Sequence, residues 1–305
     1  MDPRRLRILL ALSRLGSMRE VADALNMTTS TVSQQIAALA KEAGVALIEP
    51  EGRRVRLTPS GRRLADHAVS ILAALDAAQL DLDPNAEPAG VVRVGGFATG
   101  IRASLLPQLP TLTRDHPGLD VAISEFEPLE AFGLLIRDDL DLALAYEYNL
   151  APAAVDSVLE SIPLWTTPWG LGVRAEEPEP LDLSRYTEAT WIVNSRNTAD
   201  AEAVRTLGSL TGFRPRITHQ IDSLDLVEDL VLAGCGVGLL PLHMPTHPGV
   251  KVLPLQAPGV VLTASAVTRK GRSVWPPLRL ILERLQPADP RTLPVLDTWP
   301  GPSGW

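Results

Sequence analysis

Apolar residues near the N-terminus recur with a helical period in two short runs, separated by a break at Asn26-Met27. Ser17 followed three residues later by Glu20 is a capping-box pattern, which predicts that the first helix begins at Met18. The second run places its apolar stripe at Val32, Ile36 and Leu39. The polar residues left outside, mostly at the start of this second helix, are Thr28, Thr29, Ser30, Thr31, Ser33, Gln34 and Gln35. Short hydroxyl and amide side chains suit base edges in a major groove, so a helix-turn-helix is predicted. The alternative is an ordinary pair of amphipathic helices.

The segments on either side complete a small domain. Asp2-Pro3 predicts a helix from Pro3 to Leu15. Beyond the second helix, apolar residues alternate around a Glu-Gly turn, which predicts a two-stranded hairpin. The alternating residues are Val45, Leu47, Val55 and Leu57, and the arginines on the tip and return strand are Arg53, Arg54 and Arg56. A basic hairpin beside a helix-turn-helix is a wing that contacts phosphates or the adjacent minor groove, whereas an isolated arginine cluster is usually a solvated loop.

A longer helix is predicted to begin at Thr58-Pro59, by the same pattern of a cap followed by proline. Its apolar residues follow heptad steps and are Leu64, Ala68, Ile71, Leu75, Ala78 and Leu82. So narrow a stripe is typical of a helix that pairs with another long helix, and DNA-reading helices commonly work in pairs. The pattern therefore predicts a dimer. The alternative is that this helix packs on its own globular domain.

A different texture begins after the linker at 84–90, where strand and helix patterns alternate. The predicted strands are 91–97, 119–125, 141–147, 170–173, 191–194, 214–221, 236–241, 251–255 and 260–268, and the predicted helices are 100–115, 128–137, 199–211, 223–234 and 275–285. Such alternation over roughly 200 residues predicts parallel α/β sheets, in two small lobes. Residues 287–305 are rich in Pro, Gly and Thr and are expected to be disordered.

Length and charge narrow the class of protein. A chain of 305 residues with 45% apolar content suits two or three globular domains. The net charge is −8, yet residues 1–63 hold 11 Lys and Arg against 6 Asp and Glu. A basic head on an acidic body predicts nucleic-acid binding at the N-terminal end only. The single cysteine, the lack of a signal-peptide pattern and the short apolar stretches predict a cytoplasmic protein with no membrane partner.

Two stretches carry a resemblance to the LysR-type transcriptional regulators. Residues 6–61 are similar to the head of that family in spacing, in glycine positions and in the closing Leu-Thr-Pro-x-Gly. The matching residues include Ser33, Ile36, Leu39, Gly44, Val45 and Leu47. Residues 230–241, LVLAGCGVGLLP, resemble the family's glycine-rich helix-to-strand turn. The chain departs from the family at Thr29, Thr31 and Gln34, and at Pro50 in place of a basic residue, which implies a different operator and weaker phosphate anchoring.

The resemblance implies an α/β protein with an all-helical-plus-wing head. It divides the chain into a winged helix-turn-helix (1–58), a dimerising linker helix (59–83), a hinge (84–90) and a two-lobed effector domain (91–286) similar to type 2 periplasmic binding proteins. It also implies a homodimer or homotetramer on a double-stranded DNA operator, a small-molecule effector, and RNA polymerase as a candidate partner. The alternatives are a solute-binding or enzymatic α/β protein with an incidental helical head, and a regulator that senses no effector.

The effector site is expected beyond the carboxyl ends of strands, close to helix N-termini. The residues at those places are Thr99, Gly100, Ile101, Glu127, Glu147, Asn194, Ser195 and Asp222. Hydroxyl and backbone N–H groups there suit a carboxylate, whereas the acidic side chains suit an amine or hydroxyls. The mixture predicts a zwitterionic or polyhydroxylated metabolite. The alternative is that these residues only cap loops.

Other kinds of chemistry have little support in the sequence. His243 and His247 have metal-like spacing, but neighbouring prolines forbid a helix there, so no metal is expected. The glycines around Cys235 follow a helix instead of a strand, which is the wrong order for a dinucleotide fingerprint. A lone Cys235 offers no disulfide switch within one chain and is expected to be buried. No catalytic set has motif context, so neither an enzyme nor a cofactor is expected.

Overall fold

A computed structural model describes residues 1–52, 54–83, 86–256, 258–287 and 292–297. The head contains three helices, α1 (Pro3–Leu15), α2 (Met18–Ala24) and α3 (Thr29–Ala43). The predicted caps at Asp2 and Ser17 are confirmed, because both side chains accept a hydrogen bond from a backbone N–H of the helix that follows, and Thr28 caps α3 in the same way. Gly16 and Gly44 end α1 and α3 with φ of +70°, a conformation that glycine reaches without strain.

One small apolar core holds the three head helices together. The predicted stripe of α3, namely Val32, Ile36 and Leu39, is fully buried and packs with Leu9 of α1 and Val21 of α2. Burial of a side chain of this size stabilises the fold by about 1.5–3 kcal/mol. The core therefore fixes the orientation of α3 and leaves its polar face in solvent.

An antiparallel hairpin follows the head helices, formed by β1 (Ile48–Glu51) and β2 (Arg54–Leu57). The hairpin prediction is confirmed, although its first strand begins later than the apolar alternation indicated. Val45 is exposed and Leu47 is buried in the head core, both before β1 starts. The carbonyl of Leu47 accepts a hydrogen bond from the backbone N–H of Thr58 at 3.0 Å, which ties the loop to the next helix.

That next helix, α4 (Pro59–Leu82), runs for 24 residues. The Thr58 hydroxyl accepts a hydrogen bond from the Gly61 N–H at 3.0 Å and so caps the helix as predicted. The buried face consists mainly of small residues, which are Gly61, Ala65, Ala68, Val69, Leu72 and Ala73. A Cβ at Gly61 would collide with the carbonyl oxygen of Leu47, so the close approach of α4 to the loop requires glycine there.

The body is built on a sheet of nine strands. They are β3 (Gly90–Gly96), β4 (Leu119–Glu125), β5 (Leu142–Tyr148), β6 (Leu159–Arg174), β7 (Thr190–Val193), β8 (Arg216–Gln220), β9 (Val237–Pro241), β10 (Val250–Pro254) and β11 (Val260–Arg269). The hydrogen-bonded order is β4-β3-β5-β11-β6-β9-β7-β8, with β10 also on β6. The β3, β4 and β5 group and the β7, β8 and β9 group are internally parallel. The expectation of wholly parallel sheets is wrong, because β6, β10 and β11 pair antiparallel.

Two long strands, β6 and β11, join the two lobes. β6 pairs with β11 from Leu159 to Trp169 and then continues to Arg174 along β9 and β10. The sequence predicted only the last part of β6, because Pro163 and Pro168 interrupt the strand pattern. The pairing of β11 with β6 shifts in register between Ala264 and Ser265. Ala264 lies opposite Trp165 and Ser265 lies opposite Pro163, so the irregularity falls beside the first of these prolines.

Helices cover both lobes. They are α5 (Ala98–Gly100), α6 (Leu109–Asp115), α7 (Pro128–Ile136), α8 (Ala199–Thr211), α9 (Leu224–Leu232) and α10 (Pro276–Leu285). A π turn and a 3₁₀ turn separate α5 from α6 in the predicted helix 100–115, where Pro107 and Pro110 lack the N–H that an α-helix needs. Over the described residues, no helix combines the length and the apolarity that crossing a bilayer requires.

Residues 292–297 form an ordered strap on β6, so the expectation of a disordered tail is wrong for this segment. The Thr166 N–H donates to the Pro294 carbonyl at 2.9 Å, and the Leu296 N–H donates to the Thr166 carbonyl at 2.7 Å. The side chain of Leu296 packs against the main core of the body. Composition did not reveal this contact, because it depends on backbone hydrogen bonds to the distant strand β6. The rest of 288–305 lies outside the described residues.

Candidate nucleic-acid interface and interlobe cleft

The outward face of α3 carries the seven polar residues predicted to read DNA, and the structure divides them into two groups. The Thr28 hydroxyl bonds the hydroxyls of Ser30 and Thr31, each at 2.8 Å, and Arg5 Nε donates to Gln35 Oε1 at 3.0 Å. These bonds build the start of α3 and seat it on α1. Among the described residues, the side chains of Thr29, Ser33 and Gln34 have no hydrogen-bond partner, and all three are exposed. Of the seven predicted residues, these three are therefore free to meet base edges.

The wing is less basic than its arginines suggested. Arg56 Nε lies 2.8 Å from Glu49 Oε1, and its guanidinium also lies 3.8 Å from Glu51 Oε1. Arg56 therefore shares its charge with two carboxylates of the opposite strand, and a phosphate would have to compete with them. Arg53 and the side chain of Arg54 lie outside what the structure describes.

The heptad stripe of α4 divides along its length. Ala68 is fully buried in the head core and Leu64 packs against the same core, so Ala68 cannot contact a partner helix as predicted. Further along, Ile71 is 44% exposed, Leu82 is 84% exposed, and Ala78 is exposed as well. Leu75 is half-buried. The free part of the stripe is therefore its second half, because the first half is used to hold α4 on the head.

Polar contacts also dock α4 on the body. Arg269 at the end of β11 donates to Asp66 Oδ1 at 2.7 Å. One turn further along α4, the Ser70 hydroxyl donates to the Lys270 carbonyl at 3.0 Å. The same helix thus contacts the head core on one side and the end of a lobe-joining strand on the other, which connects the two ends of the molecule mechanically.

A cavity of about 510 Å³ lies between the two lobes. Its walls come from the ends of β3 and β5, from the middle of β6, and from the segments around β7, α8 and α9. A cavity of this size and mixed lining is typical of a small-molecule site. Four of the residues predicted for the effector line it, namely Thr99, Glu127, Asn194 and Asp222.

Five aromatic side chains form one wall of this cleft, in a chain whose aromatic content is only 4%. They are Phe97, Tyr146, Tyr148, Trp165 and Trp169. Neighbouring rings meet edge to face, with centroids 4.8 Å apart for Phe97 and Tyr146, and 5.4 Å apart for Tyr148 and Trp169. Trp165 Nε1 donates to Ser104 Oγ at 2.8 Å, which fixes that indole. The wall therefore presents mainly aromatic ring surface to the cleft, together with the hydroxyl and N–H groups of its Tyr and Trp residues.

Two carboxyl groups line the cleft away from its mouth, and of these Glu127 is buried and Asp200 is half-buried. Burial raises the pKa of Glu127 to about 7, although the Tyr146 hydroxyl donates to its Oε2 at 3.0 Å and so opposes this shift. Burial also raises the pKa of Asp200 to about 6. The Oδ2 atom of Asp200 accepts from the Asn194 N–H at 3.2 Å, and the buried hydroxyl of Tyr148 lies beside the same carboxyl group and opposes the rise of its pKa. Neither carboxyl forms an ion pair within the described part of the chain.

A polar network closes the mouth of the cleft. The Ser195 hydroxyl donates to Asp222 Oδ2 at 2.5 Å, and Arg196 Nε donates to the same oxygen at 2.9 Å. Burial acts to raise the pKa of Asp222, but these hydrogen bonds outweigh it and hold the pKa below its usual value. Arg196 also reaches Glu125 at 3.4 Å and Glu130 at 3.5 Å, so it joins elements of the two lobes.

The other four predicted effector residues do not line the cavity. Gly100 and Ile101 are buried in the turn behind it, and Ser195 is bonded to Asp222 at its mouth. Glu147 accepts a hydrogen bond from the Ala153 N–H at 2.7 Å. Glu147 was misplaced because side chains alternate along β5, so its neighbours face the cleft while it faces away.

The sequence reasoning missed the aromatic wall and Asp200. The predicted effector residues lie in loops beyond the strand ends, whereas much of the wall comes from side chains within β5 and β6. The alternation Tyr146, Glu147, Tyr148 in β5 was the available signal, since it places two phenols on one face. Asp200 follows the first residue of α8, where an acidic residue is common in any helix and carries no special signal.

Cys235 and the histidines near it form no site in the structure. Cys235 is exposed, contrary to the expectation of burial, because it lies in the turn after α9 where Gly234 adopts φ of +72°. The backbone N–H of His247 donates to Glu228 Oε2 at 2.6 Å, and its Nδ1 accepts from the Gly249 N–H at 3.0 Å. Among the described residues, no group of three or more His, Cys, Asp or Glu side chains could hold a metal ion.

Comparison with known proteins agrees with this architecture. Residues 3–62 match the bacterial regulatory helix-turn-helix protein, lysR family, and residues 85–289 match the LysR substrate binding domain. The chain belongs to the LysR family of transcriptional regulators. As a LysR-type regulator, it has the expected fold class, a winged helix-turn-helix head and a two-lobed α/β body. The function predicted from the sequence, effector-modulated regulation of transcription through DNA binding, is confirmed at the level of the family.

Several LysR-type relatives match over most of the chain. GltC of Bacillus subtilis, a transcriptional dual regulator, is 27% identical over 81% of this chain and 84% of its own length. A hydrogen peroxide-inducible genes activator of Haemophilus influenzae is 26% identical over 94% of this chain and 96% of its own length. Full-length OxyR from Pseudomonas aeruginosa shares the fold with a TM-score of 0.68, at 20% identity, over 96% of this chain and all (100%) of that one. These relatives are regulators, which favours a function other than catalysis.

Proposed function

We propose that this LysR-type regulator reads a double-stranded DNA operator with Thr29, Ser33 and Gln34 of α3, while a small molecule in the interlobe cleft sets its affinity. The domains would be those expected from the sequence, with the head at 1–58, the linker helix at 59–83, the hinge at 84–90 and the effector domain at 91–286; residues 84 and 85 of the hinge lie outside the described residues. The free second half of the α4 stripe supports assembly as a homodimer, or as a homotetramer built from two such pairs.

The observation that carries the proposal is the position of α4. It packs in the head core through Ala68 and docks on the body through the Asp66–Arg269 ion pair. A change in the body that moves the end of β11 therefore moves α4 and the reading helix with it. For such coupling to be allosteric, the effector must bind the two arrangements of the assembly with different affinity.

The test is the affinity of the purified full chain for its own upstream DNA, measured by fluorescence anisotropy at several salt concentrations. A double substitution, Ser33→Ala with Gln34→Ala, should weaken specific binding at least tenfold and leave binding to unrelated DNA little changed. Ser13→Ala is the matched control, because Ser13 is exposed on α1 in the same head. Equal losses on specific and unrelated DNA, or no loss on either, would contradict the assigned role of α3.

A further inference from the structure

The charge balance of the cleft is strongly negative. Five carboxylates line it, namely Glu125, Glu127, Asp200, Asp222 and Asp225, whereas Arg102 is the one cationic side chain among the described lining residues. At the mouth, Arg196 offsets part of this charge through Asp222 and Glu125. Deeper in, Glu127 and Asp200 form no ion pair within the described residues. A charged carboxylate that is buried without a cation is costly, so these two groups favour a positive ligand.

A buried polar atom on the same cavity wall, Trp169 Nε1, has no hydrogen-bond partner among the described residues. Trp169 is 7% exposed, so solvent does not satisfy this N–H from outside the cleft. Buried polar groups in native proteins are nearly always hydrogen-bonded, and an unsatisfied one that lines a cavity indicates where a ligand binds. Trp169 needs an acceptor, whereas the hydroxyl of Tyr148 lies beside Asp200 and interacts with its carboxyl group.

The aromatic wall adds a third and independent preference. The five side chains of the aromatic wall border the space next to Glu127 and Asp200. Indole and phenol rings attract a cation over their faces by about 0.5–2 kcal/mol and also bury apolar surface well. An inorganic cation would gain only the attraction of the ring faces, whereas an organic ammonium compound would also bury its carbon skeleton against the wall.

We propose that the cleft binds a small organic ammonium cation, with its ammonium group between Asp200 and Glu127 and its apolar body against the aromatic wall. A hydroxyl or carbonyl oxygen on the ligand would accept the hydrogen bond that Trp169 offers. The proposal rests on the function proposed above, because it names the chemical class of the effector. It narrows the expectation of a zwitterion, since the Ser195 hydroxyl that was to meet a carboxylate is already bonded to Asp222.

The first experiment compares three probes of similar shape and different charge on the full chain at pH 8. Phenethylammonium, neutral 2-phenylethanol and anionic 3-phenylpropanoate are titrated by isothermal calorimetry. Phenethylammonium should bind at least tenfold more tightly than the alcohol, and the anion should bind more weakly than either. Equal or tighter binding of the alcohol or of the anion would overturn the proposal.

The second experiment locates the site. Asp200→Asn should weaken phenethylammonium binding at least tenfold, and Trp169→Leu should weaken it several-fold while leaving the fold unchanged by circular dichroism. Asp229→Asn is the matched control, because Asp229 is an exposed carboxylate on α9 outside the cavity. If Asp200→Asn fails to fold, Glu127→Gln tests the same ammonium position. Unchanged affinity in a folded Asp200→Asn or Glu127→Gln protein would place the probe elsewhere and refute the assignment.

Operator binding in the same samples separates this inference from the proposed function. Specific DNA binding with no preference for the cationic probe would refute the ligand class and leave the regulator standing. Binding of the probe in the cleft with no change in operator affinity would support the ligand chemistry but contradict control of DNA binding through this site.

Discussion

Replacing Glu127 with glutamine should stabilise the body at pH 8 and have much less effect at pH 5. Glu127 is 5% exposed, and burial raises its pKa from the ordinary 4.5 to about 7. The folded protein therefore binds the proton of Glu127 more tightly than the unfolded chain does. As pH rises from about 4.5 to about 7, the unfolded chain ionises first, so stability falls through that window and stays lower above it.

The groups that face Glu127 determine this behaviour. Tyr146 of β5 donates a hydrogen bond to it, and Arg196 favours its charged form. Asp222 and Asp200 add to the effect of burial by repelling its negative charge. Glutamine has nearly the same shape and keeps an oxygen that can accept from Tyr146, so the substitution removes the titration with little loss of packing.

The magnitude follows from the linkage relation. The gap between a pKa of 4.5 and one of about 7 corresponds to about 3 kcal/mol above pH 7, and to just under 1 kcal/mol at pH 5. The advantage of Glu127→Gln over the native protein should therefore grow by about 2 kcal/mol between pH 5 and pH 8. Because this is a difference between two proteins, the acid sensitivity of groups that do not interact with Glu127 cancels.

Urea unfolding followed by tryptophan fluorescence is the suitable assay, because the head has no tryptophan and four described tryptophans lie in the body, namely Trp165, Trp169, Trp191 and Trp275. Glu125→Gln is the control, since Glu125 is an exposed carboxylate that lines the same cleft. That variant should show no comparable change with pH. A constant difference between Glu127→Gln and the native protein from pH 5 to pH 8 would refute the argument that Glu127 is buried without a compensating cation.

Three further substitutions test the head and its connections. Ile71→Asp, on the free half of the α4 stripe, should yield monomers in sedimentation velocity, and persistent dimers would refute pairing through this face. Gly61→Ala should destabilise the head by about 1–3 kcal/mol in thermal unfolding, because its Cβ meets the Leu47 carbonyl; an unchanged melting temperature would contradict that contact. Arg269→Ala should speed amide hydrogen exchange in α4 around Asp66, with Arg269→Lys restoring part of the protection. Equal exchange in all three proteins would show that the ion pair does not dock the helix.

Local patterns predicted the head well. Helix caps at Asp2, Ser17 and Thr28 depend on a few neighbouring residues, and the apolar stripe of α3 depends only on its period. Such features are written in short stretches of sequence. The seam of α4 was harder, because the same spacing serves an intrachain core at Ala68 and a free surface at Leu82. Periodicity shows which side chains share a face but not what covers it.

In the body, the strand pairing and the cleft residues could be predicted only in part. The direction of β6 and β11 depends on pairings between distant segments, and prolines hid half of β6. In the cleft, Glu127 and Asp222 were found because they follow strands, whereas Asp200 becomes important only beside Tyr148 and Asn194. The burial of a carboxyl group depends on residues that are distant in sequence and meet only in the folded cleft, so no single motif predicts it.

Two paired strands join the lobes. β6 and β11 pass from one lobe to the other as a paired ribbon, hydrogen-bonded along its length and interrupted by a single register shift beside Ser265. Closing the lobes around a ligand must therefore bend or twist this ribbon, which resists deformation as a spring does. We therefore expect the lobes to rotate by a small angle, because deforming the paired strands costs energy. β11 ends at Arg269, which pairs with Asp66 of α4. A twist of the two strands therefore acts directly on the helix that carries the DNA-reading head.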